Sequence, residues 1–388
     1  MRLLLCCPTP ITKALGSSKV YLEVNEALNK AGGDSTLIGP NDLLPEKDFS
    51  QRSAEEEFGE YTAALKAYLD KNQKSFDVVE YEHTYYPTKQ STMLQNKLCV
   101  ARSVLLKHHL PHYPFPKFLS LRRIFGEFIY GRRRRNYSEK RLEIAKKTCL
   151  EADLVNVPNN LDKERLMLEG IPENRVTVIP YGLTPERLAY LQNKSSESAS
   201  PKKHIITFIG TFDERKGAVE FPKIVDFVLK KHPNAVFRLL GTSGQFKTKK
   251  EVLDKFKAAH APQLEVFPMF DPDGLKSLLK GTTIGMFPSH LESFGFGVLE
   301  MMASGIPVVA YNVPGPSSLL RPDMLVHRGD YIAMARVISN WIEDENKRRA
   351  SIIWAEERAK EFEWSRFANQ TLKEYEAALK NKIDRARS

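Results

Sequence analysis

PSHLESFGFGVLEMMASGIPVVA, residues 288–310, carries the strongest structural signal of this 388-residue chain. Its first part is a polar turn rich in Ser, Phe and Gly, and an apolar pattern typical of a helix follows. This pattern places Glu292 in the loop before the helix and Glu300 a little over one turn inside it. Gly295 and Gly297 lack a Cβ, so their backbone can approach a ligand, and the helix start favours an anion. Both carboxylates can then face one crevice, although a surface loop with a solvated helical glutamate explains the spacing equally well.

Strand-like and helix-like segments alternate through both halves of the chain. The first half contains the strand-like runs RLLLCC, DSTLIG, FDVVEY, KLCVARSV, LVNVPNN and RVTVIPYGL, and the second contains HIITFIG, AVFRLLG, LEVFPMF, TIGMFPS and IPVVAYN. The polar run between them, about residues 193–203, is predicted to be a linker. The fold class is therefore α/β, with two Rossmann-like doubly wound domains facing each other across a cleft. We expect an N-terminal acceptor-side domain over 1–183, joined by a C-terminal helix over 365–388, and a C-terminal donor-binding domain over 184–364.

Length and charge are compatible with two complete domains and an anionic partner. With 388 residues and 42% apolar content, the chain can bury two hydrophobic cores. A formal net charge of +10 favours nucleotide sugars, phospholipid headgroups or nucleic acid, and does not choose among them. Because no recognised nucleic-acid motif accompanies the charge, we do not expect nucleic acid as a partner.

The cysteines and the N-terminus indicate a reducing compartment. The four cysteines show no CxxC spacing, and the vicinal pair Cys6 and Cys7 lies in an apolar run typical of a buried strand. The start MRLLLCCPTP is too short for a signal peptide or a membrane span, because Pro8 and Pro10 follow at once. We expect a cytoplasmic protein, with the inner face of the membrane as a candidate peripheral location.

The segment with Glu292 and Glu300 resembles the Glu-x7-Glu motif of the retaining family 4 glycosyltransferases (glycosyl transferases group 1), which have the GT-B fold. Four further segments follow the family's order: RVTVIPYGL before the linker, FIGTFDERKG opening the second domain, LLGTSG on the next strand, and a final helix after Trp364. The resemblance implies transfer of a sugar from a nucleotide diphosphate-sugar, a UDP- or GDP-sugar, to a glycan, glycolipid or other cell-surface acceptor, with retained anomeric configuration. Rival interpretations are a nucleotide-sugar epimerase or phosphorylase of the same fold, or a noncatalytic nucleotide-sugar sensor.

The resemblance also implies roles for individual residues of the motif. Glu300 would accept hydrogen bonds from the ribose hydroxyls of the nucleotide, because a carboxylate offers two acceptor oxygens to a diol. Glu292 would orient the hydroxyls of the donor sugar near the reacting carbon. The diphosphate would bind the backbone N–H groups around three residues of the turn, Phe294, Gly295 and Phe296. The flanking donor-binding candidates are Ser289, His290 and Ser293, although a strand-end cap and a polar turn residue explain Ser289 and His290 at least as well.

FIGTFDERKG, residues 208–217, is the second group of candidate residues. A predicted strand ends at Gly210, so Arg215 and Lys216 would lie beside the expected phosphate position. Negative charge builds on the β-phosphate when a nucleotide diphosphate departs, and a fixed cation lowers that barrier. Many relatives carry Arg directly after the glycine, whereas this chain has Thr211, so one phosphate cation is missing or is supplied by Arg215. Lys216 and Arg215 join Glu292 as the predicted catalytic residues, and a solvated charged turn is the alternative.

The first domain provides weaker candidates. Gly16 precedes a predicted helix with Ser17 or Ser18 as its N-cap, where the family uses a glycine-containing loop to approach donor phosphate and acceptor, although such a glycine often only makes a turn. Val104 stands where many relatives have a cleft histidine. A displaced histidine among His108, His109 and His112 is an alternative that ranks below ordinary surface or core histidines. The residues predicted to line the acceptor side are Arg102, Ser103 and Glu82.

Two other patterns bear on metal and membrane binding. Asp271-Pro272-Asp273 superficially matches an Asp-x-Asp metal signature, but it precedes LKSLLK, so an aspartate that caps a helix is the simpler interpretation. We therefore expect no metal and no cofactor besides the nucleotide-sugar substrate. The segment from Lys117 to Lys147 holds eleven Lys or Arg residues against three Glu, interleaved with apolar side chains. Its run Arg132, Arg133, Arg134 and Arg135 predicts an anionic membrane surface or acceptor as partner, with a solvated helix face as the alternative.

Overall fold

The computed structural model describes most of the chain, and the contacts within it define two compact units. Unit 1 comprises residues 1–109, 120–181 and 364–388, and unit 2 comprises residues 110–119 and 182–363. The described residues are 1–12, 16–46, 54–84, 94, 96–118, 121–192 and 203–387, with side chains described for these except 16–17, 54–58, 121–135 and 386–387.

Unit 1 is built on a parallel six-stranded sheet in the order β2-β1-β3-β4-β5-β6. All residues of its central strands β3, β4 and β5 are buried, as expected for parallel strands covered by helices on both faces. The strands are β1 (Arg2–Cys6), β2 (Asp34–Ile38), β3 (Val78–Glu82), β4 (Leu98–Arg102), β5 (Leu154–Val157) and β6 (Val176–Val178). The helices are α1 (Gly16–Lys30), α2 (Pro40–Leu43), α3 (Ala54–Lys71), α4 (Leu121–Glu151), α5 (Asn160–Leu168) and α14 (Trp364–Arg387).

Unit 2 repeats this architecture with a parallel six-stranded sheet in the order β12-β11-β10-β7-β8-β9. Apolar runs such as IITFI in β7 are buried between the helix layers. The strands are β7 (Ile205–Ile209), β8 (Val236–Leu240), β9 (Leu264–Phe267), β10 (Thr282–Phe287), β11 (Val308–Tyr311) and β12 (Leu325–Val326). The helices are α6 (Pro185–Gln192), α7 (Phe221–Lys231), α8 (Lys249–Leu253), α9 (Leu275–Leu279), α10 (Phe296–Ala303), α11 (Pro314–Leu319), α12 (Tyr331–Glu343) and α13 (Glu345–Ala359).

The strand order reverses once in each sheet, which confirms the predicted doubly wound α/β class. In unit 2 the first strand, β7, lies between β8 and β10. Ligands of such sheets bind at the carboxyl ends of the strands on either side of the reversal. The loops at these ends, after Ile209 and Phe287, are the two segments that the sequence singles out. The sequence did not predict β12, because two residues are too short to show a strand pattern.

Two local features differ from the sequence predictions, whereas the cysteines agree with them. Residues 110–119 were assigned to the first domain, whereas their contacts place them in unit 2. The first helix begins at Gly16, so neither Ser17 nor Ser18 is its N-cap, and the Ser18 hydroxyl instead donates to Thr12 O at 2.6 Å. All four cysteines are free and buried.

Candidate active site

The loops after β7 and β10 meet through their main chains. The amide of His290 donates to Arg215 O at 2.8 Å. Gly217, with a φ of 87°, lies so close to Pro288 that a Cβ at this position would overlap the Pro288 carbonyl. This contact requires glycine for both its conformation and its size. The two predicted segments are thereby fixed side by side in unit 2.

Lys216 and Glu292 form an ion pair at this junction. Their side chains are 14% and 16% exposed, so the pair is largely removed from water. Arg215 Nη1 lies 3.9 Å from Glu292 Oε2 and donates to Leu291 O at 3.0 Å. The structure therefore brings all three predicted catalytic residues together.

Burial and the neighbouring charges shift the pKa values of Lys216 and Glu292 in opposite directions. Burial lowers the pKa of Lys216 below its ordinary value, although the carboxylate of Glu292 opposes that shift. For Glu292 burial acts to raise the pKa, but the charges of Lys216 and Arg215 outweigh it, and the pKa falls. The carboxylate is thus ionised at neutral pH.

Asp213 shapes the turn that presents the cations. Its side chain accepts from the Lys216 amide at 3.0 Å and caps the short 3-10 turn Glu214–Lys216. Thr211 Oγ1 donates to the same carboxylate at 2.5 Å, and Gly210, at a φ of 151°, precedes it. Thr211 therefore stabilises the turn. Sequence reasoning missed Asp213, although an aspartate directly before a turn is a usual cap.

The turn before α10 depends on glycines for different reasons. Gly295 has a φ of 97° and is the N-cap of α10, a conformation that favours glycine. A Cβ at Gly297 would lie 2.9 Å from Ile209 O, so this residue is needed for packing of α10 on β7. Phe294 is 3% exposed and its ring packs against Phe296, with ring centroids 4.9 Å apart.

Ser289, His290 and Ser293 are buried beneath this turn. His290 Nε2 lies 3.0 Å from Glu220 Oε1, and both side chains are almost fully buried. The His290 ring also lies between Tyr311, at 5.4 Å, and Phe115, at 6.5 Å. His290 is therefore packed into unit 2 and supports the loop. Glu220 was not predicted, since nothing in the spacing of 70 residues links it to His290.

Glu300 lies in α10, as predicted, and is paired with a residue that sequence reasoning missed. Arg187 of α6 donates from Nη2 to Glu300 Oε1 at 2.8 Å. The two side chains are 16% and 13% exposed. No sequence signal marks Arg187, because it lies 113 residues before its partner in a different helix.

Residues 110–118 pack on unit 2 close to the same turns. The Phe118 amide donates to Glu214 Oε1 at 2.7 Å. The Phe118 ring packs edge-on against Phe246 at 5.6 Å. The Arg328 guanidinium lies 5.0 Å from the Tyr113 ring and donates to Pro114 O. We call residues 110–118 the connecting segment, since they contact unit 2 but leave and rejoin unit 1 along the chain.

The acceptor-side candidates Arg102, Ser103 and Glu82 lie in or directly after strands of unit 1. Arg102 is 1% exposed and donates to Glu80 at 2.5 and 2.6 Å, so its charge is neutralised in the core. Ser103 is fully buried. Glu82 lies 2.6 Å from His83 Nδ1 and accepts from the Thr84 amide at 2.8 Å. Burial alone would raise the pKa of Glu82, but the neighbouring histidine and hydrogen bonds lower it to about 2.

The remaining first-domain predictions have simple structural placements. His108 is buried, and burial lowers its pKa to about 3, while buried His109 lies 2.8 Å from Asp162 and His112 is exposed. Gly16 begins α1 directly after residues 13–15, which are outside the described part of the chain. Arg132 to Arg135 lie in α4, but their side chains fall outside the described residues.

Asp271 caps a short turn, whereas the sequence predicted that it caps the helix LKSLLK, whose N-cap is Gly274. Its carboxylate accepts from the Asp273 amide at 3.0 Å and caps the 3-10 turn Pro272–Gly274 before α9. Within the described residues, no group of three or more His, Cys, Asp or Glu side chains is arranged to hold a metal ion. In the same part of the chain, every helix is too short or too polar to cross a membrane.

Comparison with known proteins identifies unit 2. Residues 191–358 match the family described as glycosyl transferases group 1. Unit 2 is a glycosyl transferases group 1 domain. D-inositol 3-phosphate glycosyltransferase of Nocardia farcinica (strain IFM 10152) is 26% identical over 251 residues, which are 61% of this chain and 55% of that relative. The chain spans about half the length of the curated relatives it matches.

Solved structures resemble nearly the whole chain. Sucrose-phosphate synthase from Thermosynechococcus elongatus has a TM-score of 0.72 at 18% identity, covering 97% of this chain and 99% of that chain. Anabaena HepE in complex with UDP-glucose has a TM-score of 0.67 at 16% identity, covering 97% and 100%. These likenesses confirm the predicted GT-B fold.

Proposed function

We propose that this chain is a retaining glycosyltransferase that moves a hexose from a nucleotide diphosphate-sugar to a glycan, glycolipid or other cell-surface acceptor. The observation that carries the proposal is the buried Lys216–Glu292 ion pair with Arg215 beside it, at the carboxyl ends of β7 and β10. Glu300 lies in the helix that follows. In this arrangement the cations can bind the diphosphate, and the two carboxylates can accept hydrogen bonds from the ribose and from the sugar. The family of residues 191–358 supports this assignment.

Donor binding would exchange partners within the cluster. Phosphate oxygens would replace Glu292 at Lys216, and hydroxyls of the donor sugar would replace Lys216 at Glu292. The exchange leaves neither buried charge unpaired, which would otherwise cost about 3–5 kcal/mol. The N-terminus of α10 would add backbone N–H groups to the diphosphate, and Glu300 would accept from the ribose.

The chemistry follows from charge development on the leaving group. The bond from the anomeric carbon to the β-phosphate oxygen breaks, and Lys216 and Arg215 stabilise the negative charge that forms. The acceptor oxygen bonds to the anomeric carbon on the same face, and its proton passes to the departing phosphate oxygen. The configuration is retained, and no protein base is needed. Because two fixed cations supply the neutralising charge, we propose that turnover requires no metal.

The test is turnover by matched variants with a panel of UDP- and GDP-sugars, beginning with UDP-glucose. Lys216→Ala should lower kcat about 100-fold or more, since it removes charge stabilisation that matters most in the transition state. Glu292→Gln should weaken binding of the UDP-sugar relative to UDP, because only the sugar supplies hydroxyls that pair with Glu292 once the phosphate has taken Lys216. Nucleoside diphosphate release with and without acceptor, together with calorimetric titration, measures both effects.

Lys230→Ala is the control, because this α7 lysine is 74% exposed. It should behave as wild type. Equal turnover by wild type, Lys216→Ala and Glu292→Gln would contradict the proposed site, and release of nucleoside diphosphate that no acceptor stimulates would contradict a transferase.

A further inference from the structure

Arg187 is held in place by contacts that are independent of any ligand. Its Nη1 donates to Pro272 O at 2.7 Å, and its guanidinium lies 5.6 Å from the ring centroid of Tyr190. Its amide donates to Thr184 Oγ1 at 3.1 Å in the first turn of α6. The guanidinium is thus oriented before a nucleotide arrives, and little side-chain freedom remains to be lost.

The oriented guanidinium fixes one oxygen of Glu300. Nη2 donates to Oε1 at 2.8 Å, a charge-assisted bond between side chains that are mostly buried. Among the residues that the structure describes, no other hydrogen-bond donor reaches the Glu300 carboxylate. With respect to the described residues, the second oxygen, Oε2, is therefore available to accept from a bound ribose.

We propose that Arg187 is a positioning residue that aims Glu300 at the ribose hydroxyls of the donor. This inference rests on the proposed function, since it deepens the role of Glu300 in nucleotide binding. A lone glutamate in a helix has three rotatable side-chain bonds and must lose that freedom on binding. With Arg187 in place, the Glu300 side chain loses this rotational freedom during folding. The ribose diol then binds a carboxylate that is already desolvated and oriented.

If Arg187 acts through Glu300, replacing it should weaken binding only of nucleotides that carry the ribose hydroxyls. Arg187→Gln should weaken binding of UDP or GDP, whichever the wild type binds, about five- to tenfold. The same substitution should leave affinity for the 2′,3′-dideoxy form of that nucleotide unchanged. Arg187→Lys, which keeps the charge but loses the planar fork, should recover only part of the loss.

Calorimetric titration of the four combinations of protein and nucleotide measures this coupling. Lys276→Ala is the matched control, because Lys276 Nζ lies over the same Tyr190 ring at 5.4 Å but does not contact Glu300. It should bind both nucleotides as wild type. Unchanged binding of the dideoxy nucleotide also shows that the Arg187 variant is folded.

The outcomes separate this inference from the proposed function. If Arg187→Gln lowers affinity for both nucleotides equally, or raises affinity for the ribonucleotide, then the positioning role is wrong while nucleotide binding stands. If wild-type protein binds neither UDP nor GDP, the nucleotide site itself is wrong, and the inference falls with it.

Discussion

At the residue scale, the two turns of the candidate active site pack closely because Gly217 has no side chain. One Cα hydrogen of Gly217 faces the Pro288 carbonyl, and a methyl group in its place would overlap that carbonyl. Lys216 is the preceding residue, and its ion pair with Glu292 depends on the same contact. The geometry of the charged cluster is therefore set by main-chain packing as well as by electrostatics.

Gly217→Ala should lower the free energy of unfolding of unit 2 by about 1–3 kcal/mol, because alanine is strained at a φ of 87° and the methyl group displaces a loop. The displaced turn should also weaken nucleotide-sugar binding. Urea denaturation and calorimetric titration measure the two effects. Gly274→Ala is the control: its φ is −84°, and nothing lies within 4 Å of the added Cβ, so stability should change by less than about 0.5 kcal/mol. Equal effects at both glycines would count against the contact.

At the scale of elements, the connecting segment attaches a stretch from the first half of the chain to the group 1 domain. Three prolines, Pro111, Pro114 and Pro116, keep it out of regular structure, and its anchors come from several separate parts of unit 2. One of these anchors is the buried Glu214, 6% exposed, which accepts from the Phe118 amide. Glu214 precedes Arg215 and Lys216, so the segment contacts the turn that presents both cations.

Glu214→Leu should increase hydrogen exchange of the Phe118 amide about tenfold, because the variant lacks the acceptor of this charge-assisted bond. Glu214→Gln keeps an acceptor oxygen at nearly the same position and should retain most of the protection. Exchange followed by mass spectrometry of a peptide covering residues 110–118 makes the comparison. If the two variants exchange alike, the bond from Phe118 to Glu214 does not hold the segment.

At the scale of the whole molecule, the last helix returns to unit 1 and completes its core. Tyr375 of α14 donates its hydroxyl to Glu80 and accepts from Asn156 Nδ2 at 3.0 Å and from Arg102 Nη2 at 3.3 Å. Burial raises the pKa of Tyr375 well above its ordinary value, so the hydroxyl keeps its proton. The central strands β3, β4 and β5 thus share one buried polar network that only the C-terminal helix closes.

Tyr375→Phe should lower the free energy of unfolding of unit 1 by about 1–3 kcal/mol, since it leaves buried polar groups without their common partner. Urea denaturation followed by the fluorescence of Trp364, which lies in the same helix, reports on this unit when Trp341 and Trp354 of unit 2 are replaced by Phe. Tyr331→Phe is a control for the substitution itself, because the Tyr331 ring contacts Lys223 on unit 2. A change smaller than about 0.5 kcal/mol in Tyr375→Phe would show that the hydroxyl is dispensable.

Local sequence pattern predicts all strands of the two sheets except β12, and it predicts the residues of the charged cluster. Apolar runs of five or six residues between helical segments predict buried parallel strands, because burial on both faces requires them. Glu292, Arg215 and Lys216 could be found because each follows such a strand, and parallel strands bring their carboxyl ends to one edge. Two charged residues in neighbouring buried strands, Glu80 and Arg102, also implied a buried pair, although that signal was not used.

The partners of these residues follow from packing, which spacing along the chain does not encode. Arg187 reaches Glu300 across 113 residues, and Tyr375 reaches Glu80 across 295. Neither contact leaves a periodic trace, because each arises only where two helices or a helix and a sheet are already folded. For the same reason the sequence places the connecting segment in the first domain while its contacts lie in unit 2, since continuity along the chain does not fix which core a proline-rich stretch contacts.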